Sequence, residues 1–214
     1  RPRADRAGRK RIWAVIEADP TIRFVASAGD LVNRGDAAEL AEFQDRLRAL
    51  SVPLYATPGN HERGVDAGAW HRAFGRGSHH FVFRGVHFTF ADSGAATIDP
   101  PVYGWLEGWL DAGRDAAHVF FSHVPPLDPV GARHGAFRSR REAAKLIALL
   151  GRGRVDAAFH GHVHSYYAYV SGGVPTYISG GGGAIAERLD GIGRHFLVVD
   201  ADAGAVRRVA VVRV

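Results

Sequence analysis

Four short groups in this 214-residue sequence hold residue types that do chemistry: Gly29-Asp30, Gly59-Asn60-His61-Glu62, Ser122-His123 and Gly161-His162-Val163-His164. Each ends or directly follows an apolar run that reads as a buried strand, at 22–28, 53–57, 117–122 and 154–159. In open α/β sheets, ligands bind outside the carboxyl ends of the strands. Four strands therefore deliver Asp30, Asn60, His61, His123, His162 and His164 to one edge. Imidazole and carboxylate are the usual ligands of zinc, iron and manganese. With no cysteine in the chain, any bound metal is held by nitrogen and oxygen. A glycine ahead of three of the groups permits a sharp turn and a close backbone approach.

Taken singly, each group has a plainer reading. Gly-Asp is a turn, and Gly-Asn-His-Glu is a turn followed by a helix cap. His-x-His puts two rings on one strand face, exposed or structural. His123 alone reads as a satisfied core histidine. Their joint occurrence at four strand ends is what favours a metal site.

The positioning elements alternate helix with short strand, an α/β pattern. A basic helix is expected at about 4–18. Asp36 opens a second, with Glu39 completing a capping box. A further helix is expected at 66–74 and another at 102–112. Residues 79–92 read as a hairpin turning at Arg84-Gly85. A Pro-rich loop follows at 124–130. Ser139 and Glu142 form a second capping box, for a helix ending at Gly151. Four strands without helices close the chain, at 165–171, 174–179, 195–200 and 205–213. The expected architecture is one domain over 1–214, a sheet or two packed sheets flanked by helices.

Composition narrows the function. Hydrophobic residues make up 46% and charged residues 23%, which excludes disorder along the whole chain. No apolar run is long enough to span a bilayer, and no signal peptide is visible. The net charge of +5 resides in residues 1–11, while residues 12–214 balance. Only two of the 27 basic residues are Lys. Nucleic-acid binding is therefore not expected. Compartment and oligomeric state are open.

On the motifs Gly29-Asp30-Leu31-Val32-Asn33-Arg34-Gly35, Gly59-Asn60-His61-Glu62, His123 and Gly161-His162-Val163-His164, the sequence resembles the calcineurin-like metallophosphoesterase superfamily. The likeness covers about 20–180 and looks closest to the cyclic-nucleotide and glycerophosphodiester phosphodiesterase branch. It implies a four-layered α/β/β/α sandwich and two divalent metal ions (Mn, Fe or Zn). It also implies hydrolysis of a small phosphodiester or phosphomonoester by a metal-bound hydroxide. By the same resemblance Asp30 bridges the metals, Asn60, His123 and His162 complete one site, and His164 belongs to the other. His61 would sit near the leaving group, with Asn60 beside it, and Arg34 would hold substrate phosphate. A nuclease of the same superfamily, or a catalytically impaired metal-binding or scaffold module, is the alternative.

Two departures qualify the resemblance. The family's opening strand ends in Asp-x-His, and this chain contains no Asp-x-His. The sequence also lacks methionine. Both suggest a first strand lying upstream of residue 1, with natural loss of the first site as the alternative. The expectation is one well-held metal, a weak second site, weak activity and an open central-strand slot. Glu62 stands where that branch usually has Asp.

Overall fold

A computed structural model describes residues 6–66, 68–131, 135–185 and 190–214. The chain runs α1 (Arg6–Ala18), β1 (Val25–Ser27), α2 (Ala37–Leu47), β2 (Leu54–Ala56), α3 (Ala69–Phe74), β3 (His79–Phe83), β4 (Val86–Ala91) and α4 (Pro100–Ala112). It continues through β5 (His118–Ser122), α5 (Arg140–Arg152), β6 (Ala157–His160), β7 (Tyr166–Ser171), β8 (Val174–Ser179), β9 (His195–Asp202) and β10 (Ala205–Arg213). Every expected element is present. The two front strands are shorter than their apolar runs, three residues each.

The strands form separate sheets, ordered β3-β4-β5-β6-β8-β7, β1-β2 and β10-β9. In the six-stranded sheet β4, β5, β6 and β8 are parallel, and the antiparallel hairpin partners β3 and β7 lie at the edges. One of its faces packs on α4 and α5 through Leu106, Phe120 and Leu146. Its other face, with Phe88, Phe121 and Phe159, packs against Phe24 and Tyr55 of the β1-β2 side and Leu197 and Val209 of β9-β10. The outer face of β1-β2 is covered by α2 and α3 through Leu40, Phe43 and Trp70. The layers are thus α/β/β/α, with most of the apolar core in three slabs between them.

Local chemistry accounts for the element ends. Arg84 and Gly85 both take positive φ, +51° and +80°, as a two-residue hairpin turn with right-handed twist requires. Pro100 and Pro101 open α4, where their missing N–H groups cost nothing. α5 runs past the expected Gly151 to Arg152 and is capped at Gly153.

The two capping boxes are corrected by half. Asp36 and Ser139 do accept from the backbone N–H of Glu39 and Glu142. Neither glutamate folds back on its cap. Glu39 instead accepts from the backbone of Asn33 and Arg34, at 3.0 and 2.7 Å. Glu142 accepts from Thr97 Oγ1, Ile98 N and Tyr103 Oη, at 2.7, 2.8 and 3.1 Å. Glu39 fastens the 33–34 turn just ahead of its helix, and Glu142 fastens the distant 97–103 segment to the start of α5.

Among the described residues, β1 pairs with β2 alone and β9 with β10 alone. A cavity of about 640 Å³ lies between them, lined by Phe24 and Val25 on one side and Leu197 and Val199 on the other, with Ile12, Trp13 and Ile16 of α1 also on its wall. No described helix is long and apolar enough to cross a membrane.

Candidate metal centre

The expected common edge is shared by two sheets. β1 and β2 deliver Asp30 and Asn60 from one layer, while β5 and β6 deliver His123 and His162 from the next. Asp30 Oδ2 lies 3.3 Å from His123 Nε2. Asn60 Oδ1 lies 3.0 Å from His123 Nε2 and 2.9 Å from His162 Nδ1, and the two ring nitrogens are 3.3 Å apart. Ligand atoms of Asp30, His123 and His162 all fall within 4.8 Å of one another.

Backbone strain sits at these residues. Asp30 and His162 are non-glycine residues with φ of +58° and +66°. Such conformations cost of order 1–3 kcal/mol each and persist only where the surroundings hold them. Gly59 permits the close approach. A Cβ there would fall 2.2 Å from Asp30 Oδ1 and 2.8 Å from His123 Cε1.

The electrostatics call for positive charge at this point. His123 is 1% exposed, and its Nδ1 donates to the carbonyl of Ala28 at 2.7 Å. That makes Nδ1 the donor and turns Nε2 towards Asp30 and Asn60, the arrangement usual for a metal-ligating histidine. Burial opposes charging His123, but its bonds to Asp30 and Ala28 outweigh that and raise its pKa. Burial likewise works to raise Asp30, yet His123 and His61 hold it below the usual carboxylate range. A cation placed between Asp30 and His123 would answer the same demand for positive charge. The donor set of carboxylate, amide oxygen and two imidazoles fits a first-row divalent ion.

His61 stands at the rim, with its side chain 43% exposed. Its backbone N–H donates to Asp30 Oδ1 at 3.0 Å, and its Nδ1 donates to the carbonyl of Asn33 at 2.7 Å. Its Nε2 is left 3.9 Å from Asp30 Oδ2. His164 stands outside the three-residue ligand group but lines the same cavity as Asp30, His61, His123 and His162. The Arg34 guanidinium is bound to Asp36, at 2.7 Å, and lies 3.6 Å from Glu39.

Other histidines lie elsewhere. His79 and His80 belong to β3 of the expected hairpin; His79 stacks on Phe90, and His80 meets His87 and Trp109. His160 is buried in β6 with Nδ1 2.9 Å from Ser122 Oγ. Arg133 and His134 lie outside the described residues.

In the sequence Glu62 stands out only as a departure. In the structure it is 1% exposed, and its carboxylate accepts from the backbone N–H groups of Gly59, Asp30 and Val32 at 2.6, 2.8 and 3.0 Å. Burial and the Asp30 charge push its pKa up against the pull of those three donors. Its place inside the Gly-Asn-His-Glu motif is the one sequence signal that points to it.

Fold and site together define an α/β/β/α protein with a candidate nitrogen and oxygen cation site where strand ends of the β1-β2 pair and the six-stranded sheet meet. The calcineurin-like phosphoesterase family matches residues 5–166, and the chain belongs to that family. It is 29% identical over 127 residues to a probable cyclic nucleotide phosphodiesterase of Pseudoalteromonas sp. (strain SM9913), covering 55% of this chain and 46% of that protein. It is 27% identical over 162 residues to a probable glycerophosphodiester phosphodiesterase of Arcobacter nitrofigilis, covering 68% and 58%. The chain thus spans about half the length of these curated relatives. Among solved structures, a purple acid phosphatase from yellow lupin seeds superposes with a TM-score of 0.72 at 17% identity, over 96% of this chain and 48% of that one. A dimetal phosphatase from Danio rerio does so with a TM-score of 0.63 at 15% identity, over 81% and 76%. These two likenesses are of fold.

Proposed function

We propose that this chain is a metal-dependent phosphoesterase acting on a small phosphodiester or phosphomonoester. One observation carries the reading: Asp30 Oδ2, Asn60 Oδ1, His123 Nε2 and His162 Nδ1 converge from four strand ends on a point that draws positive charge. Asp30, Asn60, His123 and His162 would hold the ion, and Asp30 with His164 would contribute to a second. Divalent cations held there supply Lewis acidity and a strongly acidified water as nucleophile.

The chain's own residues do the rest. Asn60 offers its carbonyl oxygen inward, which leaves the amide N–H groups to donate to a phosphate oxygen. His61, anchored through Nδ1, presents Nε2 at the solvent-facing rim, where its imidazolium form would donate a proton to the departing alkoxide and be left neutral. Arg34 adds positive charge for the substrate phosphate once its guanidinium exchanges Asp36 for substrate.

A non-catalytic metal-binding module is the second reading, favoured by the position of His164 outside the ligand group. The test is elemental analysis of the purified chain reconstituted with manganese or zinc, with hydrolysis of bis(4-nitrophenyl) phosphate and 4-nitrophenyl phosphate measured before and after chelation. Bound metal with chelator-sensitive hydrolysis is expected. One ion without hydrolysis establishes the second reading, and no bound ion overturns both.

A further inference from the structure

We propose that Glu62 is the positioning residue that sets the metal site's geometry by tying the two ligand loops of the first sheet to each other. The proposal rests on the metal-site reading above.

Glu62 Oε2 accepts from Asp30 N and Gly59 N, and Oε1 accepts from Val32 N. One carboxylate thus holds both the loop after β1, which carries Asp30, and the loop after β2, which carries Asn60. N–H groups converging from two loops in this way make an anion-binding concavity. Here the anion is a side chain of the protein itself. The bonds fall where the backbone needs holding. Asp30 sits at φ +58° and Gly29 at φ +96°, in the left-handed region that a residue with a side chain adopts less readily than glycine. The bonds to Asp30 N and Val32 N bracket the strained residue on both sides. With that conformation fixed, Asp30 Oδ1 accepts from His61 N while Oδ2 faces His123. The Glu62 oxygens are engaged by these backbone donors rather than by the ligand atoms, so Glu62 acts through Asp30 and Asn60.

The choice of acid follows from donor counting. Three N–H groups need acceptors around a carboxylate that is almost wholly buried. Glutamine offers acceptor capacity on one atom only and sets its NH₂ against at least one of these donors. Buried donors left facing a donor shift apart, and Asp30 moves with them.

The experiment compares Mn²⁺ affinity by equilibrium dialysis, and the visible spectrum of the Co²⁺-loaded chain, in wild type, Glu62→Gln, Glu62→Asp and Leu146→Ala. Leu146 is a fully buried residue of the α5 slab, and its truncation measures what lost stability alone does. Outer-shell partners are typically worth 10–100-fold in metal affinity, so Glu62→Gln is expected to weaken Mn²⁺ binding by at least ~10-fold and to change the Co²⁺ spectrum. Glu62→Asp keeps both acceptor oxygens on a shorter stem and is expected to fall between wild type and Gln. Leu146→Ala is expected to lose thermal stability and keep wild-type affinity and spectrum. Wild-type affinity and spectrum in a folded Glu62→Gln overturn the proposal. If Glu62→Gln does not fold, Glu62→Asp decides: wild-type affinity and spectrum there overturn it. A wild type that binds neither ion overturns the underlying metal reading instead.

Discussion

His123 Nε2 and Asp30 Oδ2 meet at 3.3 Å across the boundary between two sheets. Asp30 follows β1 of the small parallel pair, and His123 follows β5 of the six-stranded sheet. An ion seated between them would bridge the two layers. Chelation is therefore expected to lower the thermal midpoint. At free metal 100 times Kd, binding adds about 2.7 kcal/mol, and in a chain of this size each kcal/mol is worth roughly 2–4 °C. Calorimetry with and without chelator should show a shift of about 5–10 °C, and Asp30→Asn should abolish most of it. An unchanged midpoint in the metal-loaded wild type would count against the site.

His162→Ala removes a ligand rather than a ligand's support. Its loss of Mn²⁺ affinity is expected to exceed the ~10–100-fold typical of outer-shell changes, with the fold intact by circular dichroism. Retained wild-type affinity would remove His162 from the ligand set.

His61 is outside the ligand group, so His61→Gln should leave metal content unchanged. General acid catalysis contributes typically ~10²–10⁴-fold, and kcat is expected to fall within that range with little change in KM. The loss should be largest for esters with poor leaving groups. A uniform loss across leaving groups would assign His61 to binding.

A pH effect is expected far from the site. His118 is fully buried at the start of β5; burial, followed by the nearby His87 and His80, brings its pKa down to about 3. The unfolded chain titrates this group near its usual ~6.5. Between those values the unfolded state binds a proton that the folded state refuses, so stability falls as pH falls below about 6.5, by up to ~1.4 kcal/mol per unit from this one group. Urea midpoints measured from pH 7 to about 4.5 should decline, and His118→Gln should flatten the slope. Gly113 shares this packing: a Cβ there would lie 2.5 Å from His118 Nδ1 and 2.9 Å from His87 Nδ1. Gly113→Ala should cost the ~1–3 kcal/mol of an overpacked core.

What the sequence makes legible is mostly local. Apolar runs place every strand, Arg84-Gly85 places the hairpin turn, and glycine-led polar groups mark the ligand loops. Connections between distant parts are not legible. Glu39 and Glu142 satisfy the capping-box spacing, yet their carboxylates find donors elsewhere: the 33–34 loop, five and six residues before Glu39, and the 97–103 segment. Spacing shows that an acid can fold back; it does not show which donors tertiary packing brings nearer. The division of the ligand strands between two sheets is hidden for the same reason, since β1 and β5 carry similar short apolar patterns. The motif suggests an Arg34 that faces substrate, and its nearest anions prove to be Asp36 and Glu39.

β1 is three residues long and shares a ladder with β2 alone among the described residues, its other edge turned to the cavity beside β9. Local opening follows the distribution of such ladders. Amide deuteration should therefore reach Val25–Ser27 and Leu54–Ala56 well before Val119–Ser122, which are laddered on both sides by β4 and β6. Half of the ligand set rides on the segment that exchanges early and half on the slab that exchanges late, so the lifetime of the assembled centre is set by its less protected half.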